Sequence, residues 1–144
     1  MSSFKAFEIA GSGMTAQSVR LNTTASNLAN AESVSSTPEG VYKARHPIFE
    51  AVRAQLATGA HAGEANANAA VRVRGIYESQ APANQRYEPG NPLADANGYV
   101  YAPAVNVVEE MVNMISASRS YQNNVEVMNT SKDLLMATLR LGQG

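Results

Sequence analysis

The sequence predicts an α+β fold. Long N- and C-terminal helices should pack as an α-helical coiled coil, with a small extended or β-hairpin middle segment between them. Two observations predict this. Phe7, Met14, Leu21 and Leu28 recur every seven residues near one end, and Val107, Met114, Tyr121, Met128 and Leu135 do so near the other. A seven-residue apolar repeat marks a helix seam that needs another helix against it. The residues between these ends are rich in Ala, Asn, Gly and Pro and carry no such period.

The first helix is expected from Ser3 to Ala31, with Ser2 or Ser3 as cap. Its second seam row reads Phe4, Gly11, Ser18 and Ala25, mostly small, which suits a close partner. Gly11 and Gly13 each cost about 1 kcal/mol of helix propensity, so the helix depends on packing. Glu32 to Gly40 is a break containing Pro38. Val41 to Arg53 reads as an irregular or edge strand around Pro47. Residues 56–70 have almost no large apolar side chain and are expected to form an exposed, mobile loop. Val71 to Glu78 alternates apolar and basic residues, a half-buried strand with a bulge expected at Gly75.

Ser79 to Pro103 holds four of the six prolines, with turns expected at Pro89-Gly90 and Asn97-Gly98. Asn97-Gly98 ahead of Tyr99-Val100-Tyr101 suits a tight hairpin. Helical periodicity returns from Val105 to Leu141, with Gly142 as the stop. Its second seam row reads Met111, Ser118, Val125, Lys132 and Leu139, with Ile115 widening the apolar stripe, and Lys132 there suggests a register or partner selector. The organisation expected is therefore residues 1–32 with 104–144 as a paired helical core, and 33–103 as an irregular outer segment.

Composition narrows the function. Charged residues make up 16% of the 144 and the net charge is −1, so no electrostatic footprint favours nucleic acid or an anionic membrane. Cys is absent, which removes disulfides and thiolate metal sites. The N-terminus has no basic stretch followed by an apolar core, and no apolar run suggests a membrane span or membrane insertion.

Chemical motifs fail on context. Gly11-Ser12-Gly13-Met14-Thr15-Ala16 with Glu32 matches a dinucleotide fingerprint. The stretch before Glu32 is not an apolar strand, however, and small residues in a helix seam explain the pattern better. Asp95 to Gly98 fits a turn rather than a calcium loop, because its twelfth position is Asn106. His46 and His61 stand alone, and nothing gathers Asp95, Glu88 and His46 into an enzyme site. No catalytic residue, cofactor or metal is expected. About ten large seam residues, each contributing roughly 1.5–3 kcal/mol when covered, must instead be covered by one another or by other subunits.

Specific words then become legible. Ala25 to Ala31 (ASNLANA), Tyr87 to Val100 (YEPGNPLADANGYV), Glu110-Met111-Val112, Ser116 to Gln122 (SASRSYQ), Val125 to Thr130 (VEVMNT) and Leu139 to Gln143 (LRLGQ) occur in this order. This set resembles the bacterial flagellar rod and hook proteins, and its order, spacing and short length are most similar to a proximal rod member. Residues 56–70 carry no part of the likeness.

The resemblance implies a structural subunit, not an enzyme, in the drive shaft that transmits torque across the periplasm and encloses the export channel. It implies passage through the flagellar type III export apparatus without a cleaved signal. It also implies partners: copies of the same chain, other proximal and distal rod proteins, and components of the membrane ring and export gate. The assembly interface expected is Phe7, Met14, Leu21, Asn27, Leu28, Asn30, Met114, Tyr121, Asn124, Met128 and Leu135. Asn22, Asn113, Asn123 and Asn129 would join Asn27, Asn30 and Asn124 in amide bonds between helices. The alternatives are another rod or hook type of axial protein, or a helical adaptor or exported assembly subunit sharing only the periodicity.

Overall fold

The computed structural model describes residues 3–53 and 69–142. Helix α1 spans Ser3–Asn30 and helix α2 spans Val107–Leu141. Between them run a 3-10 turn at Pro38–Gly40 and four strands: β1 Arg45–Arg53, β2 Ala69–Glu78, β3 Asn84–Tyr87 and β4 Tyr99–Ala102. Ser3 lies inside α1, so a cap at Ser2 falls outside the described residues. The loop expected over 56–70 also lies outside them, except Ala69 and Ala70, which begin β2.

Local chemistry sets the ends of α2. The Asn106 side chain accepts from the N–H groups of Val108 and Glu109, and Glu109 and Glu110 place negative charge in the first turn. Gly142 closes the helix as expected, but at φ −80 in the right-handed region, so the left-handed freedom of glycine is not used there.

The helices pair antiparallel. Gly11 faces Met128, Gly13 faces Asn124, Arg20 bonds Asn113 and Asn27 bonds Glu110. A Cβ on Gly13 would sit 2.7 Å from Asn124 Nδ2, so a larger residue here makes the Asn124 side chain shift. The second seam row of α2 lies one residue earlier than its periodicity suggests. Glu110, Ala117 and Ser131 are buried, while Met111, Lys132 and Leu139 are exposed. Lys132 therefore selects no register within the chain. On α1 the buried residues are Ala10, Ala16, Thr23, Thr24 and Asn27, with Ala31 just beyond its end, whereas Ser18 and Ala25 are exposed. The physical reason is close approach. Small and hydrogen-bonding side chains let the two backbones meet, and the bulky row is displaced to the flank.

β1 and β2 form an antiparallel ribbon from Arg45↔Glu78 to Arg53↔Ala69. The register shifts where Ile48 pairs Gly75 and Phe49 pairs Val73, leaving Arg74 as the extra residue beside Gly75. The ribbon is more regular than expected, since Pro47 pairs across from Ile76 without breaking the strand. It lies on α1, where the Val71 N–H donates to Ser12 Oγ at 3.1 Å.

β3 and β4 form a second antiparallel pair, Asn84↔Ala102 to Tyr87↔Tyr99. The tight hairpin does not occur. Residues 88–98 form a longer loop, and Asn97-Gly98 ends a turn whose Asp95 Oδ1 accepts from the N–H groups of Asn97 and Tyr99. Asp95 offers its own N–H to the Tyr99 carbonyl, which spends the hairpin pairing inside the loop. Gly98 adopts φ 82, and a Cβ there would lie 2.9 Å from Tyr87. On its other side β4 bridges Ser35 through two backbone bonds of 2.8 and 2.9 Å.

Candidate assembly interface

Among the described residues the largest fully buried side chains are Val100 and Asn27. Around Asn27 the chain builds a closed hydrogen-bond set. Its Oδ1 accepts from Tyr42 Oη at 2.9 Å and from the Arg45 N–H at 2.8 Å. Its Nδ2 donates to the Arg45 carbonyl at 2.9 Å and to Glu110 Oε2 at 3.1 Å. All four positions of the amide are filled, so burial carries no unpaired polar group. Burial pushes the Tyr42 hydroxyl above its ordinary pKa, with the Arg45 cation lowering it and the Glu110 and Glu78 carboxylates raising it.

The family resemblance implied that Asn27 bonds neighbouring helices, and its side chain is buried here with all its bonds inside the chain. Asn113 likewise accepts from Arg20 at 3.0 Å, and Asn30 donates to the Ser26 carbonyl of its own helix. Asn124 is half-buried against Gly13. Asn22, Asn123 and Asn129 remain exposed.

The eight large seam residues share one condition. Phe7, Met14, Leu21, Leu28, Met114, Tyr121, Met128 and Leu135 are all half-buried. Each keeps part of its apolar surface open within the single chain. Two further apolar rows are exposed on α2: one contains Met111 of the expected second seam row and Ile115 of the apolar stripe beside it, and the other was missed by the sequence reading. Val108, Met111, Val112 and Ile115 are exposed at spacings of three and four, on the face opposite Glu110 and Ala117. Val127, Leu134 and Leu141, seven apart, are at least half exposed. Their period was readable, but three periods coexist on one helix, and only the packing shows which faces inward. Tyr42 and Glu110 carried no local signal at all, because they meet Asn27 only after folding.

Reactive groups are not assembled. His46 is exposed on β1, Glu88 pairs with Arg86 at 2.9 Å, and Asp95 is engaged by its turn. Among the described residues there is no group of three or more metal-ligating side chains. Gly11 to Ala16 lies in the middle of α1, where helical backbone offers no phosphate-binding turn. No helix among the described residues is long and apolar enough to cross a membrane.

Comparison with known proteins is consistent in both halves of the chain. Residues 7–34 match the family model described as flagella basal body rod protein, and residues 96–141 match that of the flagellar basal body rod FlgEFG protein C-terminal region. The chain is 53% identical over 137 residues to the flagellar basal-body rod protein FlgC of Salmonella typhimurium, covering 95% of this chain and 96% of that one. It is 52% identical to the Yersinia enterocolitica FlgC over 143 residues, covering 99% and 100%. To the Borreliella burgdorferi FlgC it is 37% identical over 160 residues, covering the whole of both.

Proposed function

The chain belongs to the FlgC family of flagellar basal-body rod proteins, structural subunits of the proximal rod rather than enzymes, and from that premise we propose how it assembles. Its place is the flagellar basal body, where it joins other rod and basal-body components. The finer reading is that it polymerises through its terminal helices, lines the export channel and carries torque across the periplasm. It reaches that place through the flagellar type III apparatus without a cleaved signal.

The observation that carries this reading is the half-covered seam. Phe7, Met14, Leu21 and Leu28 with Met114, Tyr121, Met128 and Leu135 have an open flank, and α2 adds two exposed apolar rows. A soluble monomer gains nothing from such surface, and a filament subunit gains its assembly energy from it. A repeated head-to-tail contact generates a helical filament rather than a closed dimer. The partners proposed are copies of this chain, neighbouring proximal and distal rod proteins, and ring and export-gate components at the base. Asn22, Asn123 and Asn129, left exposed, supply amide bonds to these neighbours. Burial on docking offsets the entropy of ordering the ends.

The test is mass spectrometry of detergent-purified basal bodies stripped of filament and hook, followed by cross-linking. The chain has no Cys, so a cysteine introduced at Ile115 reports one position unambiguously. Recovery of the chain with the ring proteins, cross-linked from residue 115 to a neighbour, is the expected outcome. A protein absent from basal bodies and abundant as a stable helical monomer would replace this reading with that of a soluble adaptor.

A further inference from the structure

The Asn27 amide joins three parts of the chain that are far apart in sequence. Tyr42 and Arg45 lie at the root of β1, and Glu110 lies in the first turns of α2. We infer that this buried amide is a latch that makes seating of the β1–β2 ribbon and pairing of α2 against α1 one cooperative event. The outer ribbon takes its direction only once the two ends of the chain have met.

The geometry gives the reason. Arg45 is the first residue of β1, and both its N–H and its C=O are bonded to the one Asn27 amide. That is how a strand residue pairs with a neighbouring strand, so α1 acts here as a pairing partner for the ribbon's root. The second tie is the Val71 N–H to Ser12 Oγ. Asn27 and Ser12 are about 22 Å apart along the helix at 1.5 Å per residue. Two ties at that separation lay the ribbon along α1.

Glu110 makes the tie conditional. It is 5% exposed, and its described side-chain bond is to Asn27 Nδ2. A buried carboxylate needs a donor, and a buried amide N–H needs an acceptor. With α2 undocked, Asn27 loses an acceptor and the pocket opens to water. With Arg45 unseated, the Asn27 amide facing Glu110 loses the bonds that orient it. Each docking therefore strengthens the other through one side chain. Asp cannot replace Asn, because a carboxylate has no donor for the Arg45 carbonyl and repels Glu110. This coupling lies within one chain and holds whether or not the chain polymerises.

The experiment follows helix formation and ribbon order separately in the full chain. A spin label on His46→Cys, an exposed β1 position in a chain without Cys, reports strand immobilisation, and far-UV circular dichroism reports the helices. Both are titrated from urea into the osmolyte TMAO, so that folded and unfolded populations are both sampled. With Asn27 present the two signals change over the same range. In Asn27→Ala the helix signal arrives first and the label stays mobile beyond it.

Asn27→Asp separates them as well. Asn27→Asp with Glu110→Gln narrows the gap, because the introduced amide donates back to the introduced carboxylate. A parallel shift of both signals in Asn27→Ala assigns the residue to general packing and overturns the latch. So does a double variant no better than Asn27→Asp alone. If Asn27→Ala never folds, the comparison of those two variants decides.

Discussion

Leu28 and Tyr42 are two residues of similar burial with opposite uses. Leu28 is half-buried with an open flank, so Leu28→Asp should change the monomer little and abolish incorporation into basal bodies. Immunoblotting of purified basal bodies checks this, and an assembled, motile strain would sink it. Tyr42 works inward. Its hydroxyl donates to Asn27, and Tyr42→Phe leaves that acceptor with one partner, a loss of about 0.5–1.5 kcal/mol read as a lower urea midpoint.

The same hydroxyl has a pH signature. Its folded pKa lies above the unfolded value of about 10, mainly through burial. The folded state thus holds its proton longer than the unfolded state does. The stability this contributes is fully present below the unfolded pKa and is lost as pH rises through the folded pKa. Urea midpoints across that alkaline window should fall for the native chain by more than for Tyr42→Phe.

At the level of elements, the helix pair is governed by side-chain size. Gly13→Val should weaken the pair, since its Cβ would meet Asn124 Nδ2 at 2.7 Å. Gly13→Ala combined with Asn124→Ala removes that clash and gains about 1 kcal/mol of helix propensity. The double variant should recover the urea midpoint that Gly13→Val loses. The outer face of α2 predicts the reverse separation. Val112 is 60% exposed and Ile115 54%, so Val112→Asp with Ile115→Asp should move monomer stability by no more than about 0.5 kcal/mol per site. Incorporation into basal bodies should nevertheless fail, because the two charges would be buried at the contact.

For the whole molecule, the assembly surface proposed above is apolar and amide rather than charged. The net charge is −1, and the four ion-pair contacts among the described residues involve partly exposed side chains. Such pairs contribute about 0–1 kcal/mol each and are screened by salt. Rods should accordingly survive 1 M NaCl, as judged by electron microscopy of basal bodies. Among the described residues the interior is built mostly from alanines and small or hydrogen-bonding polar side chains, with Val100 the largest apolar side chain fully enclosed. Larger apolar residues left at the surface are what the proposed assembly would cover.

The sequence by itself determined the two terminal helices, the strand over Val71 to Glu78, the bulge beside Gly75 and the stop at Gly142. Each of these is written in a local period or in one residue's backbone preference. It also determined the family, through words such as ASNLANA and YEPGNP that survive without any structure. Only the tertiary structure decided which row of α2 faces α1, because rows at 110, 111 and 114 share one seven-residue period. Period identifies a stripe, and close approach at Gly13 selects it. The longer β3–β4 loop depended on where Asp95 spent its bonds, and the Asn27 network on residues that meet across 83 positions of chain. Neither has a local signature, since a hydrogen bond between distant residues leaves no trace in the neighbourhood of either.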